Sequence, residues 1–451
     1  MKHYSTKRCY FFSVSKKIIL CLLGILFFTG CTSKEQPSVS VYYTPESGEY
    51  VHNVYGLGTT HGNELSYETL EEAEKKGKSV LTLFATKTAG FVRDMANAFN
   101  CKNEKYHIEV EVFEQKEVRE RQNNLKIEIV AGNGPDLMTY GAMPYASEIM
   151  DKGCFVDLVP FMKLAGITDE FYFPGYKSLI YEDHVYGLSP YCSVVGMAVK
   201  EEVIGGKELP SFEEFVEDVL NYSKDAVLLN DTQNPDKILE YFLESSESLW
   251  GMINWKEKTC DFDCDLFYNI LDVVKRYSEA RNKGFEPIMQ TVTLTPGTAP
   301  GKEYYEDEKF VIIDSWFDDG NYPKNNVSFS TLMINSKTEN LEGAWAFVSY
   351  CLSLEGQSYE YGSPVNKEAF DMMYEDIRSL FKSEKEAEKN YPRSQIADYK
   401  TLNEQGKSIP YMVEPILNII EEEAGAYWSG SKSKEEVVNI IQNRVSVFLK
   451  E

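Results

Sequence analysis

Residues 131–145 read Ala-Gly-Asn-Gly-Pro-Asp-Leu-Met-Thr-Tyr-Gly-Ala-Met-Pro-Tyr, a stretch in which turn residues flank a short apolar run. Gly134 and Pro135 end a preceding helical pattern, because glycine frees the backbone for a turn and proline cannot continue a helix. Residues 137–140 are predicted to form a short buried strand, and Gly141 opens a helix that runs to about Asp151. The stretch therefore predicts helix, turn, strand, turn and helix in succession.

The end of that strand is the first candidate for a binding site. In open α/β sheets, ligands bind beyond the carboxyl ends of the strands. Thr139 and Tyr140 occupy this place, with Gly141 and Ala142 directly after them. We therefore expect Thr139 and Tyr140 to contact a ligand, whereas Asp136 is expected to hold the turn.

The segments before this stretch predict an α/β lobe. Residues 79–85 form an apolar strand, and residues 88–100 form a helix with Met95 and Phe99 on one face. Residues 106–113 alternate apolar and polar side chains, which is the period of a second strand, and residues 118–131 form the next helix. Strand, helix, strand, helix and strand in this order indicate parallel neighbours in one sheet.

The second half of the chain contains both kinds of element again. Residues 309–315 and 327–334 are predicted strands, and residues 341–353 are a predicted helix with an apolar stripe. Near the end, Ser433 and Glu436 match a capping box, which predicts the start of the last helix. At 451 residues the chain is long enough for two or three lobes with separate cores.

The composition is strongly acidic, with 71 acidic and 46 basic side chains and a formal charge of −25. Residues 1–30 hold five basic residues and no acidic one, so their removal would leave a charge of −30. Such a charge argues against sequence-independent nucleic-acid binding, which needs lysine and arginine to neutralise phosphates. It suits an exported domain that stays dispersed and binds neutral ligands.

The N-terminus predicts export and lipid attachment. Basic residues up to Lys17 precede an apolar run, residues 18–28, which is short for a membrane span but typical of a signal peptide. Phe28-Thr29-Gly30-Cys31 resembles a bacterial lipobox, with Phe28 in place of the usual leucine. Cys31 is therefore the predicted lipidation site, and the protein is expected on the extracellular face of the cell membrane, or in the periplasm if the source has an outer membrane. An ordinary signal peptide and an uncleaved anchor are the alternatives.

Six cysteines follow Cys31, and we expect free, mostly buried thiols, because a domain of this size does not need disulfides. Cys260 and Cys264 are close enough in sequence to bridge. Neither a second cysteine pair nor nearby histidines accompany them, so the pattern does not indicate a zinc site. We predict neither a bound metal nor a cofactor.

Several short motifs, in their order along residues 79–451, resemble the family 1 extracellular solute-binding proteins, the substrate receptors of bacterial ABC importers for carbohydrates. The motifs are Gly132-Asn-Gly-Pro-Asp-Leu-Met, Lys152-Gly-Cys-Phe-Val-Asp-Leu, Val185-Tyr-Gly-Leu-Ser-Pro, Glu342-Gly-Ala-Trp-Ala-Phe-Val and Gly362-Ser-Pro-Val-Asn-Lys-Glu-Ala-Phe. Each motif is short, and their common order makes the resemblance specific.

The resemblance implies an α/β fold of the type II periplasmic-binding-protein kind, with two lobes that are joined by hinge strands and close on ligand. The chain would then cross between lobes near Leu188, Tyr322 and Gly362. The implied domains are a lipoprotein signal peptide (1–30), a tether and N-terminal extension (31–78), lobe 1 (79–187 and 323–362) and lobe 2 (188–322 and 363–451).

A carbohydrate site needs aromatic faces that stack on sugar rings and polar partners for the sugar hydroxyls. Tyr140 aligns with a family position that often carries a stacking aromatic, whereas Met143 replaces a polar residue that some relatives use. Trp345 and Trp428 lie in structural motifs of the family and are expected in the core. The ligand-binding candidates are Thr139, Tyr140, Tyr191, Trp250, Trp255 and Trp316.

The sequence thus predicts a lipid-anchored, monomeric receptor without catalytic activity, which captures a carbohydrate and delivers it to the permease subunits of an ABC transporter. One alternative is a secreted carbohydrate-active hydrolase, which needs only two carboxylates. Another is a receptor or sensor for a solute other than a sugar. The sequence contains neither a Gly-x-Ser-x-Gly elbow nor a His-Glu-x-x-His motif, so common hydrolase signatures do not favour the enzyme.

Overall fold

A computed structural model gives the architecture of the chain. It describes residues 13–14, 39–44, 49–52, 68–86, 90–113, 118–140, 146–181, 183–205, 212–222, 227–229, 234–244, 252–254, 257–278, 287–293, 310–313, 324–329, 331–358, 363–407 and 413–450.

The strands are Ser13–Val14, Val39–Thr44, Glu49–His52, Ser79–Thr86, Tyr106–Phe113, Leu137–Thr139, Lys177–Tyr181, His184–Leu188, Tyr191–Lys200, Ile253–Asn254, Thr259–Cys260, Met289–Thr293, Phe310–Ile313, Lys324–Phe329, Leu332–Ile334, Ser363–Pro364 and Gly406–Lys407. The α-helices are Leu70–Lys75, Gly90–Lys102, Val118–Val130, Val159–Ala165, Phe212–Asn221, Pro235–Glu244, Asp265–Ser278, Leu341–Leu352, Lys367–Ser379, Glu384–Asn390, Arg393–Gln405, Val413–Trp428 and Lys434–Phe448. Short 3-10 helices span Ala146–Lys152, Pro174–Tyr176 and Gly356–Ser358.

A six-stranded sheet forms the centre of lobe 1. The strands Tyr106–Phe113, Ser79–Thr86 and Leu137–Thr139 are parallel neighbours, as predicted. Leu332–Ile334 comes next and is antiparallel to both of its neighbours, Leu137–Thr139 and His184–Leu188. Lys177–Tyr181 closes the order at the far edge. A strand from late in the chain thus lies in the middle of a sheet that is otherwise built from its first half.

Both faces of this sheet are buried. Leu81 and Leu83 contribute to one core cluster, together with Met95 on the Gly90–Lys102 helix. Phe84 and Met138 contribute to a second cluster on the other face. Successive strand residues point to opposite faces, so burial of both faces requires the near-continuous apolar runs that the sequence has here.

The predicted single strand over residues 327–334 is wrong. Lys324–Phe329 pairs with Tyr191–Lys200 in the second sheet, whereas Leu332–Ile334 pairs with Leu137–Thr139 in the first. The chain therefore crosses between the two sheets between Phe329 and Leu332. An apolar, extended pattern does not show such a crossing, because both halves have the same period. Tyr322, where the crossing was expected, lies outside the described residues.

The second six-stranded sheet is organised around Tyr191–Lys200. Four strands are antiparallel to it: Met289–Thr293, Phe310–Ile313, Lys324–Phe329 and Ser363–Pro364. Gly406–Lys407 adds a parallel edge to Lys324–Phe329. Helices cover this sheet with a separate core cluster that includes Met197, Phe215, Ile270 and Ile441. This second sheet and its helices form lobe 2.

The helices Lys367–Ser379 and Arg393–Gln405 pack into the larger core cluster of lobe 1. Phe370 and Tyr399 belong to that cluster, as does Tyr191 at the start of the central strand of the second sheet. These helices therefore pack against a core to which strands of both sheets contribute. The domain limits given above, with residues 363–451 in lobe 2, stay a prediction.

The end of the predicted tether is anchored to lobe 1. Glu68 is 4% exposed, and its carboxylate accepts hydrogen bonds from Lys76 Nζ (2.8 Å) and Lys78 Nζ (2.7 Å). His107 Nδ1, on the Tyr106–Phe113 strand, lies 3.1 Å from the same carboxylate. Thr69 and Glu72 then form a capping box that begins the Leu70–Lys75 helix. Residues from Glu68 onward are thus part of the folded lobe.

Three further observations concern the helices. The capping box of Ser433 and Glu436 is confirmed at the start of Lys434–Phe448. The helix expected to open at Gly141 is a 3-10 helix, Ala146–Lys152, within the described residues. Across the described part of the chain, no helix combines the length and apolar character that crossing a membrane requires.

Candidate functional site

Tyr140 lies where the first sheet meets a crossing to the second. Thr139 and Leu332 are register partners, and Leu332 is also paired with Leu188. One residue beyond, Tyr140 N donates a hydrogen bond to Thr331 O at 2.9 Å. The Tyr140 ring is half-buried and packs against the core cluster that contains Met138. The predicted stacking residue therefore stands at the edge of lobe 1 that is nearest to lobe 2.

Thr139 presents a buried hydroxyl at the same edge. Its side chain is 0% exposed, and Thr139 Oγ1 has no hydrogen-bond partner within the described part of the structure. A buried polar atom without a partner costs about 1–3 kcal/mol, so such atoms in native proteins call for an additional partner, such as water or a ligand. The hydroxyl is fully buried and is not open to a ligand in this state, so the ligand-binding role of Thr139 stays a prediction.

The turn before this strand is fixed by Asp136. Asp136 Oδ2 accepts a hydrogen bond from Thr82 N at 2.9 Å, and Asp136 Oδ1 accepts one from Thr338 Oγ1 at 2.5 Å. Asn335 N donates to Asp136 O at 2.9 Å. The expectation that Asp136 holds the turn is confirmed. Gly134 has φ of 102°, a backbone conformation that glycine adopts without strain.

Tyr191 lies in a different environment from Tyr140. Its side chain is 0% exposed and belongs to the large core cluster of lobe 1. Its register partners are Phe329 and Pro364, the ends of two neighbouring strands. The structure thus places Tyr191 at the hinge, as predicted, with its ring in the interior, and its ligand contact stays a prediction.

The remaining candidates fall outside the described residues. These are Trp250, Trp255 and Trp316, together with the lipidation site Cys31. Trp345 and Trp428, which were expected in the core, are partly buried and pack against the two main core clusters. Trp345 lies 5.3 Å from the Phe161 ring, centroid to centroid. Of the six ligand-binding candidates, the structure thus places Thr139 and Tyr140 at one strand end. Tyr140 packs on the face of the sheet that contains Met138, whereas Thr139 alternates with Met138 and is directed to the other face, with Leu137.

Two hydroxyl residues beside Tyr140 were missed by sequence reasoning. Ser189 Oγ and Thr331 Oγ1 are 2.7 Å apart, and both side chains are buried. Ser189 lies in the first crossing, between the strands that end at Leu188 and begin at Tyr191, and Thr331 directly precedes the strand Leu332–Ile334. The Ser-Pro pair at residues 189–190 is the signal in the sequence, since proline interrupts the strand there. The partner Thr331 could not be identified because it lies 142 positions away.

Burial affects the chemistry of several cysteine thiols in the described residues. The six thiols after Cys31 are free. Burial raises the pKa of Cys192 to about 12 and also raises the pKa values of Cys260, Cys264 and Cys351. These four thiols are therefore protonated at neutral pH and are poor nucleophiles. Within the described ranges, no group of three or more His, Cys, Asp or Glu side chains is placed to hold a metal ion.

Comparison with known proteins supports the reading of the motifs. The sequence model of a family described as bacterial extracellular solute-binding protein matches residues 94–252. No curated protein gives a significant match to the sequence. The resemblance to extracellular solute-binding proteins is thus confirmed over those residues.

Solved structures match most of the chain. The periplasmic solute binding protein ECA2210 from Pectobacterium atrosepticum is 15% identical, with a TM-score of 0.56 over 82% of this chain and 99% of that one. The ABC substrate-binding protein Lmo0181 from Listeria monocytogenes, solved in complex with cycloalternan, is 12% identical, with a TM-score of 0.53 over 83% and 99%. The sugar-binding protein MalE from Xanthomonas citri is 14% identical, with a TM-score of 0.53 over 82% and 98%. The predicted two-lobed, periplasmic-binding-protein-like α/β fold is confirmed.

Proposed function

We propose that this protein is the substrate-binding protein of an ABC importer, which captures a carbohydrate between its two lobes and delivers it to the permease. The observation that carries the proposal is the position of Tyr140, an aromatic ring at the strand end where lobe 1 meets the crossings. The fold likeness to MalE from Xanthomonas citri, and to Lmo0181 solved with cycloalternan, supports a carbohydrate as the ligand.

Tyr140 supplies one of the two kinds of contact that a sugar needs. Its ring can stack on the apolar face of a pyranose, because sugar C–H groups pack well on aromatic faces. The hydroxyl of Thr139 has no partner within the described residues but is fully buried, so it would donate to a sugar only after a movement that exposes it. The formal charge of −25 favours an uncharged ligand over an anionic one. Trp250, Trp255 and Trp316 stay candidates for further stacking surfaces.

Capture requires binding and lobe closure, without a covalent step. A ligand that contacts both lobes only in the closed state shifts the population towards that state by its differential affinity. We propose no catalytic residue, cofactor or metal for this cycle. The same proposal makes the protein a monomer attached to the outer face of the membrane through Cys31.

The first test compares Tyr140→Ala with Tyr268→Ala in a glycan panel. Both tyrosines are half-buried, but Tyr268 lies on the Asp265–Ser278 helix of lobe 2, where its hydroxyl donates to Asp263 Oδ1 at 2.9 Å. We expect mono- or oligosaccharides of one class to raise the melting temperature of residues 32–451, since a ligand specific for the folded state stabilises it by mass action. Calorimetric affinity should fall at least tenfold, about 1.4 kcal/mol, in Tyr140→Ala and stay unchanged in Tyr268→Ala.

Three outcomes would contradict parts of this proposal. Equal glycan affinities of the wild type and Tyr140→Ala would show that the ligand does not bind at the strand end. A shift with peptides or polyamines, and none with sugars, would keep the receptor but replace its ligand class. Consumption of a glycan during the assay, measured by chromatography, would support the hydrolase alternative.

A further inference from the structure

The first crossing between the lobes, at Ser189 and Pro190, is held by side chains that come from much later in the chain. The hydroxyls of Ser189 and Thr331 are 2.7 Å apart, and the two side chains are 0% and 3% exposed. Ser189 N also donates to Tyr176 O at 2.8 Å. Since Thr331 directly follows the second crossing, the hydroxyl pair links the first crossing to the second.

Gln357 makes a corresponding link to the third crossing. Its side chain is 0% exposed, and Nε2 donates to Pro190 O at 2.6 Å and to Cys351 O at 3.3 Å. Its Oε1 accepts a hydrogen bond from Asn366 N at 2.8 Å. The Nε2 donor and the Oε1 acceptor of this one buried side chain therefore bind main-chain groups of three separate segments.

The chain around Asn366 is itself fixed to lobe 1. Val365 N donates to Pro190 O at 3.2 Å, and Phe173 N donates to Val365 O at 2.8 Å. Phe370, one turn into the following helix, packs edge-on against Phe173 with ring centroids 5.1 Å apart. The chain at residues 365–366, which we call the returning chain, is therefore hydrogen-bonded both to the first crossing and to lobe 1.

We propose that Gln357 acts as the positioning residue of the hinge: it binds the first crossing, the end of the Leu341–Leu352 helix and the returning chain into one unit. With Ser189 and Thr331 joining the second crossing to this unit, the three crossings turn together rather than separately. This restricts the lobe separations that the protein samples before it meets a ligand. Without Gln357, Val365 N is the donor to Pro190 O that remains among the described residues, and the crossings become free to move with respect to each other.

The test measures lobe separation in the protein without ligand, so it is independent of the carbohydrate assignment. One spin label is placed on Cys101, which is exposed at the end of the Gly90–Lys102 helix. The other is placed on Val447→Cys, at an exposed position (57%) of the Lys434–Phe448 helix. The measurement uses residues 32–451, which omits Cys9, Cys21 and Cys31. Cys260 and Cys264 are replaced by alanine throughout, because they are half-buried, whereas Cys154, Cys192 and Cys351 are buried. Pulsed electron paramagnetic resonance then gives the distribution of distances between the lobes.

Asn335 provides a matched control for Gln357. It is also a buried amide, 2% exposed, whose Nδ2 donates to Asn133 O and Pro135 O, both at 3.1 Å, and whose Oδ1 accepts from Lys337 N at 3.0 Å. Its bonds, however, stay inside lobe 1. Gln357→Met and Asn335→Leu should lower the melting temperature similarly, but only Gln357→Met should broaden the distance distribution, by about twofold.

An unchanged distribution in folded Gln357→Met, or equal broadening in Asn335→Leu, would overturn the proposal. Gln357→Glu is the second variant if Gln357→Met does not fold. It keeps the size of the side chain and the acceptor for Asn366 N, and it is measured at a pH at which the buried carboxyl group is ionised, because only the ionised form cannot donate to Pro190 O. The same broadening is expected in Gln357→Glu, and its absence would count equally against the hinge role.

Discussion

Glu68 shows how a single side chain holds the N-terminal extension on lobe 1. Burial alone would raise the pKa of Glu68, but hydrogen bonds from Lys76, Lys78 and His107 outweigh it and lower the pKa from 4.5 to about 2. Because the pKa is lower in the folded state, ionised Glu68 stabilises the fold fully above about pH 4.5. This contribution is lost as the pH falls towards 2.

Replacement of Glu68 should therefore be costly at neutral pH and less so in acid. Glu68→Gln should lower the free energy of unfolding at pH 7 by about 3 kcal/mol, because Lys78, 4% exposed, loses its carboxylate partner. Urea denaturation at pH 7 and below pH 4 measures the difference. Glu71→Gln is the control, since its pair with Lys75 is exposed and contributes little. A loss in Glu68→Gln that is independent of pH would contradict this account.

The sequence allowed us to predict the role of a residue that depends on its near neighbours in the chain. It did not allow us to predict contacts between distant positions. The role of Asp136 followed from its place between Pro135 and a strand, and the structure confirms it. The contact of Glu68 with His107 spans 39 positions, and that of Gln357 with Pro190 spans 167. Neither leaves a pattern in the surrounding sequence, because a partner that approaches in space imposes no period along the chain.

At the scale of elements, Gly343 determines how closely the Leu341–Leu352 helix approaches the first sheet. A Cβ atom at this position would lie 2.6 Å from Tyr106 Cδ1 and 3.0 Å from Leu81 Cδ1. Such distances are much shorter than ordinary contacts, so the helix or the ring would have to shift. The glycine thus allows a close contact that any larger residue would prevent.

Alanine at this position should destabilise the protein although it favours helix formation. We expect Gly343→Ala to lower the free energy of unfolding by about 1–3 kcal/mol through overpacking. Gly425→Ala is the matched control, because Gly425 is also helical and its Cβ would meet nothing within 4 Å. It should raise the free energy of unfolding by about 0.5–1 kcal/mol. Chemical denaturation of both variants checks this, and stabilisation by both would contradict the packing argument.

Helices and strands were predicted well where the hydrophobic pattern kept a single helical or strand period along the whole element. Tyr106–Phe113 has the predicted bounds, and the Val118–Val130 helix ends within one residue of its prediction. The prediction failed at residues 327–334, where one apolar run supplies strands to two sheets. It also missed the 3-10 form of Ala146–Lys152, because short apolar periods do not distinguish the two kinds of helix.

At the scale of the whole molecule, the order of motifs was enough to predict the fold class, and the structural comparisons confirm it. The packing of the Lys367–Ser379 and Arg393–Gln405 helices into the core of lobe 1 was not predictable. Their apolar stripes show that each helix buries one face, but several sheets could receive that face. The assignment of helices to lobes depends on tertiary contacts alone.

The proposed membrane attachment concerns the whole molecule but depends on one side chain, Cys31. We expect Cys31→Ser to prevent lipid modification and to move the protein from the detergent phase to the aqueous phase of a phase-separation assay, because a lipid chain supplies the membrane affinity. Cys21→Ser, inside the apolar leader, is the control and should remain lipid-modified. Unchanged partitioning of Cys31→Ser would favour the uncleaved anchor.

The strand Leu332–Ile334 has a consequence for how the protein is made. It fills the gap between Leu137–Thr139 and His184–Leu188, and Asn335 bonds to Pro135 across 200 positions. Until this strand emerges, two inner strands have open edges, and contacts between such distant positions form slowly. We therefore expect the nascent polypeptide to remain unfolded through most of its synthesis, which is the form in which a secretion channel can thread it. Completion of lobe 1 is thereby postponed until Leu332–Ile334 has been synthesised.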